Sequence, residues 1–96
     1  DDTDADIDIV AKAYDGNGHI HTILGECKFS RRPVGMSVFN TLVSRAKAAK
    51  FTENVIYIIF SALGFDDELM EYAEDNGIIL VDGEIMISND DPPVIF

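Results

Sequence analysis

Three residues of this chain have types and spacing suited to chemistry, Asp8, Glu26 and Lys28, with Asp6 as a competitor for the first position. Their relation hangs on one turn. Asp15-Gly16-Asn17-Gly18 offers two hairpin dipeptides, DG and NG, between two segments that read as strands. If Gly16-Asn17-Gly18 is the loop, Asp15 faces His19, Asp8 faces Glu26 and Asp6 faces Lys28. Side chains on one face of a strand recur every second residue. Asp6, Asp8, Glu26 and Lys28 then share a face, while Ile7, Ile9, Ile23 and Cys27 point to the other. A bulge in the loop would shift this register by one residue. Opposed positions bring Cβ atoms to about 5 Å, where like charges destabilise a sheet. An aspartate facing a glutamate therefore needs a cation. Lys28 brings one charge, and a divalent ion would bring more; an oxygen-rich site with one or two carboxylates suits Mg²⁺. Read from spacing alone, the better account of these residues is solvated charges on an exposed strand face, because a lone E-x-K is common.

The elements that must position these residues follow from periodicity. Ile7 to Ala13 alternates in part and is β-branched, and His19 to Lys28 is its partner, so the two form an antiparallel hairpin. Ser30-Arg31-Arg32-Pro33 breaks the pattern. Val38, Phe39, Leu42, Val43, Ala46 and Ala49 then recur at helical spacing, predicting a helix from Val34 or Gly35 to Lys50. Arg45, Lys47 and Lys50 favour its C-terminal dipole. Val55 to Phe60 is continuously apolar, as in a strand buried on both faces. Asp66 caps a second helix, with Phe65 before it as a staple, and Gly77 stops it. Ile78 to Val81 reads as another buried strand, parallel to the previous one through a right-handed crossover. Glu84 to Ile87 is a candidate for one more short strand. The order is β-β-α-β-α-β, an α/β class with a mixed sheet that is antiparallel at one end.

Composition limits the rest. A chain of 96 residues is naturally one domain, residues 1–96, and 47% apolar content is globular. The apolar run Val55 to Phe60 is far short of the roughly 20 residues of a membrane helix. The single cysteine, Cys27, rules out an internal disulfide and fits a reducing cytoplasm. It reads as a small apolar residue, with no histidine partner to activate it. Net charge is -11, awkward for a DNA-binding protein, but it is segregated. Residues 1–50 hold all seven bases against seven acids, whereas residues 51–96 hold eleven acids and no base. Only the first half is suited to phosphate, through Arg31, Arg32, Arg45, Lys47 and Lys50. Arg31 and Arg32, just before a helix start, could clamp a phosphate. His19 and His21 share a strand face without a third ligand nearby and read as ordinary histidines. Tyr14, Phe29 and Phe39 are better suited to packing than to base stacking.

The stretches Asp6-Ile7-Asp8-Ile9-Val10-Ala11 and Gly25-Glu26-Cys27-Lys28-Phe29-Ser30 resemble the motif-bearing strands of PD-(D/E)xK nucleases, which have the restriction-endonuclease-like fold. Arg32-Pro33-Val34-Gly35 and Phe60-Ser61-Ala62-Leu63-Gly64-Phe65 resemble the domain at the C-terminus of prokaryotic, archaeal-type AAA-like ATPases. The resemblance covers residues 6–82. It implies that Asp8 and Glu26 ligate Mg²⁺ or Mn²⁺ with the backbone carbonyl of Cys27. It implies further that Lys28 positions or activates the attacking water, or stabilises the pentavalent phosphate. The D-I-V-A context favours Asp8 over Asp6 as the motif aspartate. The fold normally begins with a helix and a further strand that this chain lacks, and the start at Asp1 reads as a fragment of a longer protein. Two functions follow as expectations. One is metal-dependent cleavage of DNA by a cytoplasmic nuclease domain with an ATPase module in the same or a partner chain. The other is a catalytically silent docking or regulatory module of that ATPase, favoured by the acidity and the missing first helix.

Overall fold

The computed structural model describes residues 7–83. The elements are β1 (Ile9–Tyr14), β2 (Ile20–Lys28), α1 (Met36–Ala48), β3 (Val55–Ser61), α2 (Asp67–Asn76) and β4 (Ile79–Asp82). They form a four-stranded sheet in the order β1-β2-β3-β4. The first pair is antiparallel and the other two are parallel. This is the expected mixed α/β architecture, consistent with a restriction-endonuclease-like fold. Asp6 and the short strand expected from Glu84 to Ile87 lie outside the described residues.

The β1–β2 turn sets the register of everything before it. The Asp15 carboxylate accepts the backbone N–H groups of Asn17 (2.8 Å) and His19 (3.0 Å). The Asp15 N–H donates to the His19 carbonyl at 3.0 Å, so these two residues do face each other. Gly18 closes the loop at φ 84°, a left-handed conformation that glycine adopts without a Cβ clash. The ladder then runs from Tyr14 opposite Ile20 to Ile9 opposite Gly25, the register expected from a Gly16-Asn17-Gly18 loop.

Because β2, β3 and β4 step in one direction, right-handed crossovers carry both helices to the same face of the sheet. The core there is Leu24, Val34, Phe39, Leu42, Ala46, Ile59 and Leu69. Phe39 meets Tyr57 edge-on at 5.3 Å and Tyr72 of α2 at 5.5 Å, which ties the two helices together over the sheet. On the other face Gly25 is pressed between β1 and β3. A Cβ there would lie 3.0 Å from Ile9 Cβ and 3.1 Å from Ile58 Cγ2.

Helix boundaries shift for local reasons. Gly35 is the N-cap of α1 and offers no side-chain acceptor. The helix stops short of Lys50, which turns left-handed at φ 67° while the Phe51 N–H donates back to the Ala46 carbonyl at 2.8 Å. Asp66 caps α2 by accepting the Leu69 N–H at 2.9 Å, and Gly77 ends it at φ 69°. The segments that lead into the two helices pair through a Val34–Phe65 bridge, with Val34 N–H to Gly64 C=O and Asp66 N–H to Val34 C=O, each at 2.9 Å. Phe65 packs against the core.

Candidate active site

Glu26 and Lys28 stand near the C-terminal end of β2, in the parallel part of the sheet, where open α/β sheets commonly bind ligands. Alternation along β2 turns Leu24, Glu26 and Lys28 toward α1. Leu24 is fully buried there, and Glu26 goes in with it at 6% exposure. One Glu26 oxygen, Oε2, lies 3.3 Å from Lys28 Nζ. The other, Oε1, is buried without a hydrogen-bond partner. A buried charged oxygen with no partner costs more than the roughly 1–3 kcal/mol of a neutral one. The Lys28 side chain stays 41% exposed, so its ammonium can reach solvent-side groups as well as Glu26.

Asp8 sits in a bend immediately before β1, one residue outside the strand in which the sequence places it. The cause is local. The ladder ends at Ile9 opposite Gly25, and the Cys27 N–H beyond it is taken by Asp8 Oδ2 at 3.0 Å. The side chain replaces a backbone acceptor, and the carboxylate is thereby pinned beside the Glu26–Lys28 segment. Burial, then the charges of Asp8 and Glu26, push the Cys27 thiol above its ordinary pKa. Such a thiol stays protonated and is a poor nucleophile.

Around Glu26 and Lys28 a small pocket of about 100 Å³ is closed on the helix side by Ser37, Val38, Thr41 and Arg45. Ser37, Thr41 and Arg45 are spaced by four residues, so they make one stripe of α1. None of the three is among the apolar periodic positions of α1, and the crossover of α1 over β2 brings them to the carboxylate. Ser61, opposite Lys28 on β3, is fully buried with an unpartnered hydroxyl. Arg31 and Arg32 are exposed in the loop between β2 and α1, where Ser30 Oγ donates to the Arg32 carbonyl at 2.7 Å. They are outside the pocket lining.

The histidines belong to a different place. His21 Nε2 lies 2.9 Å from Asp15 Oδ2, and His19 Nδ1 lies 3.6 Å from the same oxygen. This group stands at the turn, at the far end of β2 from Glu26. The His21 hydrogen bond above all, then the backbone N–H of His19, hold the Asp15 carboxyl well below the usual carboxylate range.

A restriction endonuclease family model, Mrr_cat, matches residues 1–88. The chain belongs to the Mrr_cat restriction endonuclease family. Comparison with curated proteins and with solved structures gives no match. Membership supports a nuclease-like activity with DNA as the substrate, and restriction-endonuclease-like domains generally use divalent metal ions. The residues of this Mrr_cat chain fit such an ion. Glu26 Oε1 is an acceptor without a donor, and the Asp8 carboxylate is held on the N–H of the neighbouring residue, Cys27. Among the described residues no group of three or more His, Cys, Asp or Glu side chains is set to hold a metal. A pair of carboxylates plus a carbonyl and waters is a Mg²⁺ or Mn²⁺ set rather than a zinc set. Among the described residues no helix is long and apolar enough to cross a membrane.

Proposed function

We propose that this Mrr_cat domain hydrolyses DNA phosphodiester bonds, with Asp8, Glu26 and the Cys27 carbonyl holding Mg²⁺ or Mn²⁺ and Lys28 acting on the reacting groups. The observation that carries this reading is the buried Glu26 carboxylate, with one oxygen on Lys28 and the other on nothing. A fold retains such an arrangement against its cost where a ligand completes it. A bound divalent ion supplies charge stabilisation at the phosphoryl oxygens. Glu26 contributes a charge fixed by burial, and Asp8 a second one fixed by the Cys27 N–H. Lys28, half exposed and loosely paired, can donate to an attacking water or to a phosphate oxygen. Arg31 and Arg32, exposed just beyond Lys28, are suited to the flanking phosphates.

A plasmid-nicking assay with Mn²⁺ tests this. Lys28→Ala and Glu26→Gln, each shown to be folded by circular dichroism, are expected to lose at least a hundredfold in rate. Cleavage indifferent to both substitutions would move the chemistry elsewhere. The second reading, a silent docking module for an ATPase in the same or a partner chain, is favoured by the eleven acids and no base of residues 51–96. Under that reading Mn²⁺ never produces nicking, and ATPase activity of the partner responds to the acidic half.

A further inference from the structure

A second, wider groove lies beside the Glu26–Lys28 pocket along α1. It has a volume of about 450 Å³ and is lined by Asn40, Thr41, Ser44, Arg45 and Ala48. Thr41 and Arg45 line both cavities, so the two adjoin at these residues. The lining of the outer groove carries hydroxyls, an amide and a guanidinium, and no carboxylate. The whole of α1, Met36 to Ala48, is free of acids in a chain that has eighteen. Acids crowd instead onto α2, which carries Asp67, Glu68, Glu71, Glu74 and Asp75 without a base. From Ser37 to Ala48 the helix rises about 16 Å, room for several phosphates of one strand at about 3.4 Å of axis each.

Resting on the DNA-cleavage reading above, we propose that this face of α1 is the track for the DNA backbone leading into the Glu26–Lys28 pocket. Asn40, Thr41 and Ser44 donate hydrogen bonds to successive phosphate oxygens, and Arg45 brings its guanidinium to the junction of the two cavities. Neutral donors are ordinary phosphate ligands and position a duplex without reading its bases. They also solve a problem of this chain. A net charge of -11 leaves little long-range attraction for DNA, so local donors must carry what distant charge does not.

The test is fluorescence anisotropy of a short labelled DNA duplex in Ca²⁺, where cleavage does not interfere. Ser44→Glu places a charge in the groove, whereas Thr52→Glu adds the same charge at an exposed site outside the groove lining. Ser44→Glu is expected to weaken binding by at least tenfold and Thr52→Glu by less than twofold. Asn40→Ala should weaken it about fivefold at unchanged salt dependence. Arg45→Gln should weaken it and also flatten the plot of log affinity against log salt by about 0.9. Equal losses for the two glutamate substitutions, or no binding by the unaltered protein even at low salt, would overturn the proposal. Cleavage is not needed for this result. If Ser44→Glu loses binding while Lys28→Ala still nicks plasmid at the full rate, the groove stands and the catalytic assignment of Lys28 fails.

Discussion

Glu26 is held inside the protein at a cost, and the cost is measurable. Its exposure is 6%, and its only described partner is a lysine that is itself 41% exposed at the side chain. Replacing a buried ion pair by an apolar side chain of similar size is often neutral or stabilising by about 1–4 kcal/mol. Glu26→Leu is therefore expected to raise the melting temperature in EDTA by several degrees while abolishing cleavage. Mn²⁺ should raise the melting temperature of the unaltered protein and leave that of Glu26→Leu unmoved, because only a site present in the folded state couples ligand to stability. Differential scanning fluorimetry with and without Mn²⁺ reads both; a Glu26→Leu protein that melts lower in EDTA would mean that the carboxylate serves the fold. Asp8 has its own reporter. Its charge helps, after burial, to keep the Cys27 thiol protonated, so Asp8→Asn should speed alkylation of Cys27 at pH 8. An unchanged alkylation rate would place Asp8 too far away to matter.

At the scale of elements, the hairpin and the two helix starts are where single residues decide geometry. Asp15 orders the turn, and its pKa is depressed in the folded protein mainly by His21, then by the His19 N–H. A depressed carboxyl stabilises the fold above its unfolded pKa of about 3.9 and loses that contribution as pH falls toward the folded value. Asp15→Asn should therefore flatten the acid side of the stability–pH curve below about pH 4 and leave the curve near neutrality almost parallel to the original. Urea titrations at several pH values check this, and an unchanged acid limb would remove Asp15 from the account. At the helix starts, a Cβ on Gly35 would come 2.5 Å from Asp66 Oδ2, the same carboxylate that caps α2 through Leu69. Gly35→Ala should push that side chain off its cap and cost about 1 kcal/mol, like Asp66→Ala, with the double variant costing no more than either. The sheet was legible from sequence for clear reasons: glycines fixed a three-residue turn, and β3 and β4 carry unbroken apolar runs. That legibility extended to the paired register from Tyr14–Ile20 to Ile9–Gly25 and to the shared face of Glu26 and Lys28. It did not extend to the bend at Asp8, which depends on a side chain replacing a ladder acceptor. Nor did it reach Ser37 and Thr41, because which polar stripe of a helix covers a strand is settled by the crossover and not by the helix itself.

Over the whole molecule, charge is sorted by position, and the sorting makes salt act in two directions at once. Asp66, Asp67, Glu68, Glu71, Glu74 and Asp75 fall within ten residues, and the last turn of α2 contains no base. Like charges at i,i+4, such as Asp67 with Glu71 and Glu71 with Asp75, each cost a few tenths of a kcal/mol. Glu74 and Asp75 also stand at the negative end of the helix dipole. These are exposed charges, so salt screens them; the Debye length falls from about 10 Å at 0.1 M to about 3 Å at 1 M. Stability should accordingly rise with sodium chloride. Asp75→Lys should reproduce much of that gain at low salt, because it removes one repulsion, puts a cation at the C-terminal end of α2 and sets a lysine four residues after Glu71, the favoured order. The expected gain is about 0.5–1 kcal/mol, or a few degrees for a chain of this size, and the salt dependence of stability should shrink with it. DNA affinity should move the opposite way, falling with salt as the bases of the first half are screened from phosphate. Thermal melts and anisotropy across one salt series test both slopes in the same buffer. If stability falls with salt, the acids of α2 are engaged in favourable pairs and the segregated charge has no cost to the fold; if both slopes have the expected signs, the acids of α2 repel one another without engaging DNA, and binding is left to the bases of the first half.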